Sequence, residues 1–200
     1  MPHLPRSVHA RFPLHVTLRV QRHVWQLRSR RCFRVLDKAF RAAAARFDTR
    51  IAQFSVQRNH IHLVVETRDA RALARAVQGV AIRMAKGLNR VMGRKGAVFA
   101  DRYHSRPLRT PTEVRRALVY VLGNARTHLA ALGYRLSPHY IDECSSAAWF
   151  TGWAVPPRPP PTDPPVAPAR TWLLRTGWRE RGGPIRRDEM PNGEEARTAR

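Results

Sequence analysis

A chain of 200 residues has the length for one domain with appendages. Hydrophobic residues make up 43% of it, no apolar run nears the roughly 18 residues of a membrane span, and the N-terminus lacks the apolar core of a secretory signal; membrane and secreted classes are excluded and a cytoplasmic protein is predicted. The 37 Lys and Arg against 14 Asp and Glu leave a formal charge of +23, and since a bias toward Arg codons does not explain so few acids, a polyanion such as nucleic acid is the expected partner.

Residues 13–20 alternate apolar and polar side chains and are rich in β-branched types, the pattern of a half-buried strand. From Ser29 the period becomes helical, with Cys32, Phe33, Leu36, Phe40, Ala43 and Phe47 on one face and Arg and Lys on the other. Residues 51–57 and 60–65 alternate again, and Arg58-Asn59 reads as the turn of a hairpin between them. Asp69 is placed to cap the next helix, whose apolar face is Leu73, Val77, Val80, Ala81 and Met84, and which Gly87 and Asn89 are expected to weaken. A flexible basic loop, Gly93-Arg94-Lys95-Gly96, then leads to a fourth extended segment between Ala97 and Leu108. In Thr110-Pro111-Thr112-Glu113 an N-cap hydroxyl, a proline at the first helical position and a glutamate three residues past the cap coincide. That helix is predicted to run to about Ala131, with Gly133 as its terminator.

This order of elements predicts an α+β fold: a ferredoxin-like sandwich in residues 1–136, an antiparallel sheet with helices on one face plus a closing helix. Residues 137–168 read as a Trp-containing segment and Pro-rich linker, and 169–200 as a short helical element and a disordered tail, since 182–200 hold four Arg balanced by four acids and little apolar content. Trp149, Trp153, Trp172 and Trp178 can stack on unpaired bases or simply attach the tail to the domain, the second being the simpler reading. Cys32 and Cys144 are too few for a disulfide framework or a cysteine metal site and read as reduced thiols.

His60 and His62 are one residue apart on a strand, so both imidazoles lie on one face while Ile61 points to the other. Two neutral imidazoles make half of a metal site; a merely polar sheet face is the other reading, and a third ligand decides between them. Tyr120 and Asn124 lie one helical turn apart on the capped helix. Its apolar stripe, Val114, Leu118, Val121, Leu122, Ala125 and Leu129, leaves Tyr120 on the flank. Such a phenol can simply pack at a core edge, or it can set a nucleophile beside a metal ligand. His15 and His128 read as surface histidines.

Asn59-His60-Ile61-His62-Leu63-Val64-Val65 and, further on, Leu118-Val119-Tyr120-Val121-Leu122-Gly123-Asn124 together resemble the histidine–hydrophobic–histidine strand and the catalytic helix of the single-tyrosine HUH transposases (IS200-like), and within them the REP-associated tyrosine transposases. The resemblance covers about residues 10–132, including the segment from Phe99 to Arg109, and departs from many members in having Ala125 where they have proline after the asparagine. It implies cleavage and rejoining of single-stranded or hairpin DNA, with Tyr120 as nucleophile forming a 5′-phosphotyrosine link. His60, His62 and Asn124 are then expected to hold Mg2+ or Mn2+, Asn124 being a short third ligand. Arg102, Tyr103, His104, Arg106 and Arg109 are the expected DNA contacts, with Tyr103 also a rival nucleophile. The implied setting is the bacterial cytoplasm at the nucleoid, as a monomer or homodimer. A non-catalytic protein binding hairpin DNA or RNA on the same fold is the alternative. A histidine-triad phosphate hydrolase would need another alternating histidine where Val64 stands.

Overall fold

The computed structural model describes residues 8–158, 160 and 162–190. Its elements are β1 (Leu14–Arg19), α1 (Arg30–Ala43), β2 (Ala45–Arg46), β3 (Thr49–Val56), β4 (His60–Thr67), α2 (Ala70–Val91), β5 (His104–Pro107), α3 (Pro111–Ala131) and α4 (Trp172–Arg175), with 3-10 turns at Ala147–Trp149 and Gly177–Arg181. All strand pairs are antiparallel, in the order β2-β3-β4-β1-β5. Apart from the two-residue β2, the succession β-α-β-β-α-β is that of the expected ferredoxin-like sandwich. Among the described residues no helix is long and apolar enough to cross a membrane.

Alternation along each strand sorts its side chains to two faces. On the first face Leu14, Val16 and Leu18 of β1 and Ile61, Leu63 and Val65 of β4 form one core with Leu36 and Phe40 of α1 and Leu73, Val77 and Met84 of α2. Phe40 stacks on Phe54 of β3 with ring centroids 3.9 Å apart. Ser29 and Asp69 cap α1 and α2 through their side chains.

Two helix boundaries differ from the sequence reading, each for a local reason. α1 stops at Ala43, and Phe47 leaves its stripe because Phe47 and Asp48 both take φ of 54° to turn the chain from β2 into β3. α2, in contrast, passes through Gly87 and Asn89. A Cβ on Gly87 would lie 2.3 Å from Val35 Cγ1, so the glycine is there to let α1 and α2 approach, and Asn89 donates to the carbonyl of Gly96 at 2.8 Å, tethering the basic loop.

The second face of the sheet is covered by α3. Its capping box is complete: Glu113 N–H donates to Thr110 Oγ1 at 3.2 Å and Thr110 N–H to Glu113 Oε2 at 3.0 Å. The helix packs through Val114, Leu118 and Val121 on Ala52 and Val64, and a further layer of Phe150, Trp153, Leu174, Trp178 and Ile185 closes over it. Residues 117–122 of α3 are all buried, as in a helix held between two layers. The stripe-and-flank reading of this helix was therefore too narrow.

That outer layer comes from residues expected to form a linker and tail. The Pro-rich segment docks on β3, with Ala167 N–H donating to Ile51 O at 2.8 Å and Arg50 Nε to Pro168 O at 2.9 Å. Trp153 and Trp178 are buried, and Trp153 Nε1 donates to Ala147 O at 2.8 Å. Residues 182–190, read from composition as disordered, run along α3, where Glu189 pairs with Arg115. The remainder of the expected tail, 191–200, lies outside the described residues.

Candidate active site

Because Ile61, Leu63 and Val65 take the first face of β4, His60 and His62 fall on the second, beneath α3, with ring centroids 4.6 Å apart. Antiparallel pairing of β1 with β4 sets Thr17 directly opposite His62, two pairs from His15↔Val64. Thr17 Oγ1 is 3.2 Å and His15 Nε2 3.1 Å from His62 Nδ1. From above, α3 brings the Tyr120 hydroxyl to 3.3 Å from His62 Nε2. His62 is fully buried and both its nitrogens face partners.

His60 is held differently, by its Nδ1 at 2.8 Å from the Oδ1 of Asn59. With the hydrogen on Nδ1, its Nε2 keeps a lone pair. All three imidazoles of the cluster are uncharged near neutral pH. Burial lowers His15 to about 4, helped by the charge of Arg106 and by His104 and His60. It lowers His60 to about 4, with help from His128 and Arg19, and carries His62 well below 6.5, with further contributions from His15, His60 and His128. Neutral imidazoles are the form that binds metal.

Asn124, one turn beyond Tyr120, is 2% exposed and its Nδ2 has no hydrogen-bond partner. A buried amide with one free end is rare enough to call for a partner, and rotation of the amide exchanges its nitrogen for its oxygen. Among the described residues no group of three His, Cys, Asp or Glu is arranged to hold a metal. Any third donor to a metal on the His60–His62 pair would have to be of another type, and an amide such as that of Asn124 is one such group.

The expected DNA contacts are divided by the sheet. In β5, His104 pairs with Thr17 and Arg106 with His15, so both share the face of the histidine cluster. Tyr103 instead packs against the core of α1 and α2. Arg102 and Arg109 are exposed, and Arg109 N–H donates to Glu113. His15, read from the sequence as a surface residue, is partly buried between His62 and Tyr120, the ring centroids of His15 and Tyr120 lying 5.9 Å apart. His128 is exposed, yet its charge reaches both metal-candidate histidines. The signal for His15 was its place in an alternating strand, but only the β1–β4 register shows which histidine it meets.

The family model described as "Transposase IS200 like" matches residues 8–121. A solved structure of a REP-associated tyrosine transposase bound to a REP hairpin superposes with a TM-score of 0.52 at 15% identity, over 64% of this chain and 74% of that one. This likeness shows a shared fold. A Deinococcus radiodurans R1 protein assigned as a transposase gives a TM-score of 0.42 at 11% identity, over 68% of this chain and all of that one. No curated protein matches the chain.

Proposed function

The chain belongs to the IS200-like transposase family, and from that premise we propose that it cuts and rejoins single-stranded DNA through a covalent link to Tyr120. The observation that carries this reading is the 3.3 Å approach of the Tyr120 hydroxyl to His62 Nε2 inside a buried cluster of neutral imidazoles. A buried phenol takes a hydrogen-bond partner in any case; what supports the reading is that the partner here is one of the two histidines of the β4 pair.

In the reaction Tyr120 gives up its phenolic proton and its oxygen bonds to phosphorus. The bond from phosphorus to the 3′ oxygen breaks, and that oxygen takes up a proton to leave a free 3′-hydroxyl and a 5′-phosphotyrosine. Rejoining runs the same exchange with another 3′-hydroxyl. One phosphodiester replaces another, so no nucleotide cofactor is needed.

His60, His62 and Asn124 are the residues that would hold Mg2+ or Mn2+, whose charge would polarise the scissile phosphate. Burial keeps both imidazoles uncharged for that task, and Asn59 fixes the ring of His60. His104 and Arg106 on β5 flank the same face and are suited to the DNA backbone. The charge of +23 makes binding fall as salt rises.

The test is a labelled hairpin with single-stranded flanks, incubated with the protein and Mn2+ and then denatured. A covalent adduct with wild type and none with Tyr120→Phe is expected. No adduct with wild type, or an equal one with Tyr120→Phe, would sink the proposal and leave a hairpin-binding protein. Duplex DNA without unpaired flanks is expected to be a poor substrate, and chelation of the metal should stop cleavage while leaving binding.

A further inference from the structure

Which nitrogen of His62 carries the hydrogen decides what this site can do. Nε2 accepts from the phenol, or serves as a metal donor, only with its lone pair exposed, which requires the hydrogen on Nδ1. In the other tautomer an N–H points at Tyr120 and both roles are closed. Two groups face Nδ1: Thr17 Oγ1 at 3.2 Å and His15 Nε2 at 3.1 Å. A threonine hydroxyl accepts or donates with equal ease and selects neither tautomer by itself. The His15 imidazole accepts or donates according to its own tautomer, and with its hydrogen on Nδ1 the lone pair on Nε2 can only accept from His62.

We propose that His15 is a positioning residue whose Nε2 accepts the Nδ1–H of His62, fixing the tautomer in which His62 Nε2 faces Tyr120 with a free lone pair. The inference deepens the reading of Tyr120 and the histidine pair given above and rests on it for its functional meaning. The sheet puts the contact within reach: His15 sits two residues from Thr17, the direct partner of His62, on the diagonal across the β1–β4 pair. The His15 ring also meets Tyr120 edge-on, at 67° between planes, so one side chain limits both the imidazole and the phenol. His60 has its counterpart in Asn59, whose amide oxygen faces its Nδ1. Each histidine of the pair thus has one acceptor behind it, one from its own chain turn and one from the neighbouring strand. Acceptors behind a metal-binding imidazole raise its basicity, and their loss typically costs about 10–100-fold in metal affinity.

Nitrogen-15 NMR of the imidazoles in the metal-free protein, slightly above neutral pH, tests this directly, with the His62 signals assigned by their loss in His62→Gln. Wild type is expected to show His62 hydrogenated on Nδ1, with a scalar coupling across the N–H···N bond linking that nitrogen to His15 Nε2. His15→Leu should lose the preference and His15→Gln, which returns an amide oxygen, should recover it. In parallel, Mn2+ affinity measured by paramagnetic resonance should weaken by about 10–100-fold in His15→Leu and recover in His15→Gln, with DNA hairpin binding unchanged. Finding His62 hydrogenated on Nε2 in wild type, or no coupling to His15, overturns the proposal even if His15→Leu does not fold. An unchanged tautomer in a folded His15→Leu overturns it as well. A correct tautomer without any Tyr120 adduct would instead refute the cleavage reading and leave this inference standing.

Discussion

Glu66 Oε1 accepts hydrogen bonds from both the backbone N–H and the hydroxyl of Thr171, each at 2.7 Å, while Oε2 takes a third from Arg170 N–H at 2.7 Å. Glu66 lies near the far end of the strand that begins at His60, so β4 presents the candidate site at one end and anchors the C-terminal segment at the other.

Glu66→Gln is expected to weaken this anchor. A neutral amide replaces a carboxylate and leaves one of the two backbone N–H groups facing an amino group, at a cost of roughly 2–3 kcal/mol. Urea denaturation would measure it, and a change within experimental scatter would show that the anchor is not a stability element.

The packing over α3 makes a second, steric prediction. A Cβ on Gly152 would lie 2.3 Å from Phe150 Cζ and 2.7 Å from Trp178 Cζ2, both on rigid rings that cannot swing aside. Gly152→Ala should therefore destabilise by about 1–3 kcal/mol, and Phe150→Leu in the same chain should restore part of the loss. Thermal melting of the single and double variants gives the comparison.

Asn124 sets stability against activity. Its buried amide with a free end carries a desolvation cost of roughly 1–3 kcal/mol, so Asn124→Leu is expected to hold or raise the melting temperature while abolishing metal-dependent cleavage. A variant that lost stability and kept cleavage would remove Asn124 from the site.

Acid should unfold the metal-free protein through the same cluster. Burial holds His15 and His60 at about 4 and His62 well below 6.5, so the unfolded chain takes up protons at 6.5 while the folded chain does not. Stability from this source is full above 6.5 and falls as the pH drops from there toward 4. Denaturant midpoints collected across that range with chelator present should show the slope, and replacing His15 or His60 by Gln should flatten it.

Much of this architecture was legible because it depends on neighbours along the chain. The spacing of His60 and His62 determines their common face, and Thr110 with Glu113 marks the start of α3, as both hydrogen bonds attest. What escaped depends on contacts between distant segments. His15 could not be matched to His62 without the β1–β4 register, and Gly87 looked like a weak point because Val35, which it accommodates, belongs to another helix. The tail divides: Trp153 and Trp178 attach it to the domain, the simpler of their two sequence readings, whereas the disorder expected from residue 182 on fails at Ile185, a lone apolar residue among glycine, proline and charged neighbours that joins the layer over α3.

The layering over α3 also orders the events of synthesis. While the ribosome still holds Trp178 and Ile185, the β-sheet and the first two helices can already collapse on their own core, but the helix bearing Tyr120 has its outer apolar side bare. A nascent chain therefore completes the candidate site last, and a prematurely terminated one would have the histidines in place without a firmly seated Tyr120.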